Sequence, residues 1–382
     1  MKTVSASPHI TRKGNSTRSI MIDVLIALSP CLIAAVALFG YHVVINLVTC
    51  LVFCFGTELL YNLIVSRKWN KEGVLKSSVF DFSFAVTAVI LTLNLPAVMP
   101  VDIWGLTVYN SVGETAFSFD TVLLCALGSI FAIALVKMLF GGIGRNFANP
   151  ACTGRIFLFI AFGGAGAFNL TSSLWASGMA STGATWLGTR NVVTGGMLLD
   201  MFLGNTATAA VGETCVIAIL VGYVYLSVRR VIDPRVPLMI IGSLAVFAFL
   251  FDVVPSGARG TDIFYSTLAH VLSGGLLFGS VFMATDYATS PNTFVGTAVY
   301  CVGIGLITAL IRAFGSFPEG FSFALLIMNI VTPLLDKYIV PKPFGYVKPI
   351  REKKEKNGKK ETSVKTDGDT TNVAIVGEGG EK

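Results

Sequence analysis

The sequence contains few charged residues for its length. They make up 13% of its 382 residues, whereas soluble domains contain about 25%. This low fraction, together with repeated apolar runs of about 20 residues, argues against a soluble enzyme and predicts a helical protein that crosses the membrane several times. The net charge of +6 is concentrated in short loops and in a tail, so it predicts membrane orientation, not nucleic-acid binding.

Potential metal ligands are also scarce. Histidine occurs three times, and no two cysteines have Cys-x-x-Cys spacing. We therefore expect buried, inert thiols and no metal site within this chain, although one cysteine could join a cluster shared with a neighbouring subunit. No cleavable signal peptide is evident, so the first apolar run is interpreted as a membrane helix. The cysteines are Cys31, Cys50, Cys54, Cys125, Cys152, Cys215 and Cys301.

Ten apolar segments predict an all-α polytopic membrane protein. They lie at 21–40, 43–65, 79–95, 121–140, 151–168, 207–228, 237–254, 266–284, 293–313 and 321–340. The predicted organisation is a cytoplasmic segment 1–20, five helices in 21–168, an extracytoplasmic loop 169–206, five helices in 207–340, and a basic disordered tail 341–382. Residues 96–120 form a second long outer loop. A docking site for a soluble partner is the alternative interpretation of the tail.

Lysine and arginine predict the orientation of these segments. With the N-terminus inside, the outer segments contain only Arg190 and Arg259, and the other basic loop residues lie inside. This asymmetry follows the positive-inside rule. It places the turn that contains Arg145 on the cytoplasmic side and Thr185 on the extracytoplasmic side.

The ten segments divide into five plus five, as in an inverted repeat. The fourth ends with Lys137 followed by Gly141-Gly142, and the ninth ends with Arg312 followed by Gly315, at opposite membrane faces. The third and eighth segments are both short or broken by small and polar residues. In repeat membrane proteins such segments line a central site.

Two motifs are candidates for ligand binding. Arg145, Asn146 and Asn149 precede Pro150 at the start of the fifth segment, and paired carboxamides suit a heteroaromatic ring with imide edges. Helix capping is the alternative function of these asparagines. The second motif is a small, hydroxyl-rich loop, which is also ordinary loop composition. It consists of Ser181, Thr182, Gly183, Ala184 and Thr185.

Ionisable residues inside apolar segments are costly and often functional. Glu58 and Glu213 lie deepest and are the candidates for an ion pathway. Others lie near segment ends, where they could reach the interface. These are Asp81, Lys137, Asp252, His270 and Asp286.

The sequence resembles the D subunits of Rnf-type ferredoxin:NAD oxidoreductases and the homologous B subunits of sodium-pumping NADH:quinone oxidoreductases. The resemblance runs from Ser7 to Asp336, and it rests on stretches such as 21–28, 141–146 and 321–333. It implies two inverted five-helix repeats with a fold similar to urea transporters. The short N-terminal segment, which carries the Ser-Pro-His-Ile pattern at residues 7–10, favours the Rnf type.

The resemblance also implies two flavins. FMN is expected on Thr185 through a phosphoester bond made outside the membrane by a flavin transferase, and noncovalent riboflavin is expected beside Asn146 and Asn149. An acidic residue commonly precedes the modified threonine by six positions, whereas this chain has Met179 there. No residue of this chain is expected to be catalytic in its own right.

The implied role is that of one membrane subunit in a bacterial inner-membrane translocase, working with the A, B, C, E and G subunits of the Rnf complex. Electrons would pass between ferredoxin and NAD through the flavins, coupled to Na⁺ or H⁺ export. Three alternatives are a quinone-reducing complex of the related type, a urea-transporter-like solute channel, and a scaffold protein without a cofactor.

Overall fold

A computed structural model shows a largely helical protein. It describes residues 16–66, 78–99, 107–109, 115–163, 170–171, 182–183, 193–204, 210–255, 260–315 and 320–340. The predicted tail 341–382 and most of the two predicted outer loops lie outside these residues.

In the first half of the chain, the residues that the structure describes form five helices and a short hairpin. Ser16 caps the first helix, because its hydroxyl accepts a hydrogen bond from the amide of Ser19 at 3.2 Å. The fourth helix continues as a π-helix over Phe131–Met138, and Ser78–Asp81 is a single 3₁₀ turn before the third. The elements are α1 Thr17–Phe39, α2 Tyr41–Ser66, α3 Ser83–Asn94, β1 Thr107–Tyr109, β2 Thr115–Ser118, α4 Phe119–Ile130 and α5 Pro150–Phe162.

In the described part of the second half, seven helices accompany a second small antiparallel strand pair. Helix α8 continues as a π-helix over Phe249–Val253, and α9 and α10 form one bent pair with an angle of 47° between them. The elements are β3 Leu170–Thr171, β4 Thr182–Gly183, α6 Gly195–Leu203, α7 Val216–Val228, α8 Arg235–Ala248, α9 Thr261–Leu272, α10 Leu276–Phe282, α11 Phe294–Phe314 and α12 Phe321–Tyr338.

Every predicted apolar segment contains a helix, but the helices differ in length. By length and composition, six described helices are able to cross a membrane, or seven if the bent pair α9–α10 is one span. Helices α3, α5 and α7 are apolar but only 12 or 13 residues long. The number of membrane crossings therefore stays a prediction.

The segment 207–228 shows why apolar runs overestimate helix length. Helix α7 begins only at Val216, and the described residues before it form turns. The amide of Gly212 donates to the carbonyl of Leu93 at 2.7 Å, and a Cβ on Gly212 would lie 2.7 Å from the Cβ of Leu93. This stretch is apolar because it packs inside the protein.

The predicted outer loops contain some regular structure. Strands β1 and β2 pair within 96–120, with Thr107 opposite Ser118, and β3 and β4 pair within 169–206. Helix α6 also lies in the second loop, and the hydroxyl of Thr194 caps it by accepting from the Met197 amide at 3.4 Å. These strands and this helix are short, so the alternation of apolar and polar residues and the capping residues in them do not distinguish them from loops in the sequence.

Close helix packing makes one glycine sensitive to substitution. A Cβ on Gly222 of α7 would lie 2.5 Å from the carbonyl oxygen of Ala27 on α1. We expect Gly222→Ala to lower stability by about 1–3 kcal/mol through overpacking. Gly242→Ala in α8 is the matched control, because nothing lies within 4 Å of its Cβ position. Thermal unfolding in detergent measures both, and equal midpoints would contradict this packing.

Candidate functional site

A cleft opens where segments predicted to be cytoplasmic come together. Its walls come from the start of α1, the turn before α5, the turn after α7 and the loop after α10. The space between the walls is about 800 Å³, part of it open to solvent. An apolar cleft with a few polar groups is typical of a small-molecule site. The polar or charged lining residues are Ser83, Thr87, Lys137, Asn146, Asn149, Thr285, Asp286 and Tyr287.

Asn149 is a helix cap. Its side-chain oxygen accepts from the amides of Ala151 and Cys152 at 3.1 and 3.2 Å, and Pro150 occupies the first helical position. Its Nδ2 donates to the carbonyl of Met283 at 3.3 Å, which joins α5 to the end of α10. The capping role considered from the sequence is therefore present, in a residue that also lines the cleft.

Asn146 differs from Asn149, because its Oδ1 is buried and has no hydrogen-bond partner among the described residues. An unsatisfied buried carbonyl oxygen costs free energy unless a ligand or water supplies a donor. Gly144 has a φ of 82°, a conformation that favours glycine, and this turn leads the chain into the cleft wall at Asn146. Arg145 is exposed and does not line the cleft.

Lys137 is a buried cation at the cleft wall. Its ammonium group donates to Glu58 Oε2 on α2 at 2.5 Å and to Ser83 Oγ at the start of α3 at 2.6 Å. The two charged side chains are 2% and 0% exposed. Loss of one partner of a charge pair this deep would strongly destabilise the folded protein, because the other charge would remain buried without compensation. Lys137 thus links the cleft to a buried carboxylate.

The loop after α10 contributes an acid and a phenol. Burial raises the pKa of Asp286, although its oxygens accept from the Ala288 amide at 3.1 Å and the Thr289 hydroxyl at 3.4 Å. Burial, followed by the charges of Asp286 and Asp81, raises the pKa of Tyr287 to about 12. Tyr287 is therefore neutral at physiological pH.

A second buried charge pair joins the two halves of the chain. Arg155 on α5 lies 3.6 Å from Glu213 Oε1 in the turn before α7. Its Nη1 also donates to Asn94 Oδ1 at 3.3 Å and to Ser322 Oγ at 3.2 Å. A Cβ on Gly275 would overlap the Glu213 carboxylate, so Glu213 packs directly against the break between α9 and α10.

The sequence matches the NQR2, RnfD, RnfE family over residues 3–113 and 120–345. The chain belongs to this family. It is 36% identical over 357 residues to the D subunit of the Na(+)-translocating ferredoxin:NAD(+) oxidoreductase complex of Acetobacterium woodii, covering 92% of this chain and 98% of the relative. It is 33% identical to the proton-translocating counterpart of Clostridium ljungdahlii, covering 90% and 96%. It is 31% identical to the D subunit of the ion-translocating oxidoreductase complex of Halorhodospira halophila, with the same coverage.

This member of the NQR2, RnfD, RnfE family has a third group of ionisable side chains at the broken helix pair. His270 Nε2 lies 2.9 Å from Asp252 Oδ2. Arg312 on α11 donates to the carbonyls of His270 at 2.5 Å, Ser273 at 2.9 Å and Gly274 at 3.2 Å. These carbonyls end α9, where helical partners are missing, so Arg312 stabilises the break.

The structure separates the sequence-predicted site residues. Asn146 and Asn149 share the cleft, whereas Glu58 and Glu213 belong to different charge pairs. Thr182 and Gly183 form strand β4, and Ser181, Ala184 and Thr185 lie outside the described residues. Among the described residues, no group of three or more His, Cys, Asp or Glu could hold a metal ion. All seven cysteines are free, and all except Cys215 are buried.

The sequence did not lead us to predict the two buried arginines, Arg155 and Arg312, as site residues. Arg155 lies in the fifth apolar segment and Arg312 at the end of the ninth. A charged residue inside a membrane segment is by itself a functional candidate, and this criterion would have identified both. Their partners are a carboxylate, a carboxamide, a hydroxyl and backbone carbonyls far away in sequence, which no local pattern predicts.

Proposed function

We propose that this chain is the D-type membrane subunit of an ion-translocating ferredoxin:NAD oxidoreductase, with FMN on Thr185 and riboflavin in the cleft. The names of the three relatives support the complex, because each describes the D subunit of an ion-translocating oxidoreductase. The observation that supports the cofactor in the cleft is the buried Asn146 Oδ1, which lacks a hydrogen-bond donor among the described residues.

The apolar walls and the polar groups of the cleft fit a flavin. An isoalloxazine ring needs an apolar slot for its benzenoid end and an acceptor for its imide N–H. The aliphatic walls provide the slot, and Asn146 Oδ1 provides the acceptor. Ser83, whose Oγ accepts from Lys137, can donate its hydroxyl hydrogen to a carbonyl edge of the ring. The hydroxyls of Thr87 and Thr285 donate to the backbone carbonyls of Ser83 and Val281, so they can accept hydrogen bonds from the ribityl chain. When bound, the flavin would supply one- and two-electron transfer.

The residues around the cleft bind and orient such a ligand. Asn149 fixes the start of α5 and ties it to Met283, so the turn that contains Asn146 is held between the two halves. Lys137 provides positive charge at the wall, and because its ammonium group is buried away from solvent, its interaction with a bound ligand is strengthened.

We also propose ten membrane crossings arranged as two inverted repeats. Corresponding helices make corresponding contacts: α2 packs on α3 and α4, and α8 packs on α10 and α11. The basic residue near the end of the fourth segment, Lys137, binds the start of α3, and its counterpart Arg312 binds the break before α10. This agreement supports the repeat.

The proposed membrane arrangement places the cleft on the cytoplasmic side and the Thr185 loop outside, with both termini inside. The A, B, C, E and G subunits of the complex and a flavin transferase are the proposed partners. Electrons would reach the outer flavin from the G subunit and leave toward the C subunit.

The test of the cleft is the noncovalent flavin content of the purified complex, released by denaturation. We expect Asn146→Ala to weaken flavin binding about 5- to 150-fold and to lower this content accordingly, because about 1–3 kcal/mol is lost with a buried hydrogen bond. Phe147→Leu is the control, since Phe147 is 37% exposed and does not line the cleft. Equal riboflavin in the Asn146→Ala complex and the wild type would reject the cleft as its site.

A further inference from the structure

Three arginines lie at the turn that joins α7 to α8. Arg229 is already paired, because it donates to both carboxylate oxygens of Asp23 at 3.1 and 3.2 Å. Arg230 and Arg235 are exposed, and neither guanidinium forms an ion pair among the residues that the structure describes. Each guanidinium has five N–H donors. Two arginine side chains are therefore open to a partner at this turn.

Arg230 occupies a backbone position that glycine usually fills. Its φ is 56°, in the left-handed region. The Arg230 amide donates to the carbonyl of Ser227 at 3.1 Å, and the Val231 amide donates to the carbonyl of Leu226 at 3.0 Å. This is the Schellman pattern at the end of a helix, in which a residue with a side chain is disfavoured relative to glycine. An arginine retained at such a position indicates a use for its side chain.

Exposed apolar side chains border these arginines. Val228, two residues before Arg230, is 76% exposed, and Leu238, one turn after Arg235, is 60% exposed. The Arg235 guanidinium lies over the ring of Phe294 at the start of α11, with its central carbon 5.8 Å from the ring centroid, and this ring is itself 62% exposed. Positive groups bordered by exposed apolar side chains are typical of the interface between headgroups and acyl chains.

Helices α7 and α8 diverge from the turn. Helix α7 packs on α1, whereas α8 packs on α11, and both contact α10, which therefore lies behind the gap between them. The hydroxyl of Tyr223 on α7 donates to the carbonyl of Pro234 at 2.9 Å and holds the two helices together only at the turn. The outer surface below the arginines is thus a gap between two apolar helices, which suits acyl chains.

The charges of this surface match one phosphodiester group. Arg229 and Asp23 neutralise each other, and Asp233 offsets one of the two remaining arginines, so an excess of one positive charge is left. Asp233 Oδ1 accepts from the backbone amide of Arg235 at 3.0 Å. Arginine binds phosphate oxygens through two parallel N–H···O bonds. The apolar border favours a phospholipid over an acidic protein segment as the source of that phosphate.

We propose that Arg230, Arg235 and the exposed ends of α7, α8 and α11 bind one anionic glycerophospholipid. Its phosphodiester lies against the two guanidinium groups, and its acyl chains lie along Val228 and Leu238. In the proposed membrane orientation this turn faces the cytoplasmic leaflet, where anionic lipids attract basic side chains. The lipid is separate from the flavins and from the transported cation of the proposed function.

The experiment is photo-crosslinking from position 238 in the whole purified complex. The photoreactive residue p-benzoylphenylalanine replaces Leu238, and the complex is reconstituted in vesicles of equal parts phosphatidylglycerol and phosphatidylcholine with the same acyl chains. Mass spectrometry of the crosslinked peptide gives the ratio of the two lipids. We expect phosphatidylglycerol to be favoured about fivefold or more, since each basic side chain near the membrane surface contributes about that factor. The control probe replaces Val246, an exposed residue about two turns further along α8, and should give equal amounts.

Arg230→Gly and Arg235→Gln test the two arginines separately. Each should lower the lipid ratio at position 238 about fivefold. Arg230→Gly also separates lipid binding from folding, because glycine suits the left-handed backbone and the midpoint of thermal unfolding in detergent should not fall. Arg18→Gln is the matched control. It removes an exposed arginine whose guanidinium lies over the ring of Phe82, and it should leave the ratio unchanged.

Three results would overturn the proposal. The first is a wild-type ratio at position 238 equal to that at position 246. The second is a ratio that neither Arg230→Gly nor Arg235→Gln changes. The third is a crosslink to a peptide of a neighbouring subunit in place of lipid, which would make this surface a protein contact. Riboflavin content should be unaltered in both variants, because neither arginine lines the cleft.

Discussion

Thr185→Ala is expected to abolish covalent flavin attachment and to reduce coupled electron transfer to background. The alanine lacks the hydroxyl oxygen that would form the phosphoester bond, and no neighbouring side chain replaces it at that position of the motif. The measurement is peptide mass spectrometry of the purified complex, together with flavin fluorescence on a denaturing gel and ferredoxin-dependent NAD reduction. The complex should still assemble, because the change removes one methyl and one hydroxyl group from a residue of a predicted loop.

The control for this experiment is Thr189→Ala, a threonine four positions further along the chain. It should keep the covalent flavin and wild-type turnover. Covalent FMN on the peptide of the Thr185→Ala protein would place the attachment elsewhere. Full turnover without any covalent flavin would favour a scaffold protein, one of the alternatives considered from the sequence.

Apolar runs in the sequence predict the positions of the helices well, because helix surfaces that face lipid and those that face the protein core both consist of apolar residues. All ten apolar segments contain helices. Because hydropathy cannot distinguish a buried turn from a membrane span, it also overestimates helix length. The described residues 210–215 before α7 form such a turn, in which Gly212 packs against Leu93.

The sequence predicts which residues lie close together where a local motif determines the structure, but not where residues distant in sequence meet. The Asn146–Pro150 turn has a local pattern, and the structure places Asn146 and Asn149 at one cleft. Glu58 was identifiable as a deep carboxylate, but its partner Lys137 lies 79 residues away. Pairings of this kind depend on tertiary packing, which the local sequence does not encode.

Arg155→Met is expected to destabilise the protein severely, by about 3–5 kcal/mol, the usual cost of leaving one partner of a buried ion pair uncompensated. The side chains of Arg155 and Glu213 are each 6% exposed, and Arg155 also donates hydrogen bonds to Asn94 and Ser322. Its loss would therefore leave a buried carboxylate and two polar groups without their cationic donor. Thermal unfolding in detergent and the yield of assembled complex measure the effect.

A double-mutant cycle separates the charge pair from packing alone. Glu213→Gln with Arg155→Met removes both charges, and we expect it to recover part of the stability lost in Arg155→Met, because no buried charge is then left unpaired. Arg229→Met provides the comparison with an exposed arginine, whose side chain is 54% exposed in its pair with Asp23. Exposed pairs contribute about 0–1 kcal/mol, so this change should be mild.

The cycle also tests whether this pair holds the two halves together. Arg155 lies on α5, whereas Glu213 lies before α7 and packs against Gly275 at the break between α9 and α10. If the pair acts as a link between the halves, single variants should increase the accessibility of cysteines introduced at the α5–α12 contact, and the neutral double variant should restore protection. Additive effects of the two substitutions would instead mean that each side chain is held by its other neighbours, and that the 3.6 Å contact has little coupling energy of its own.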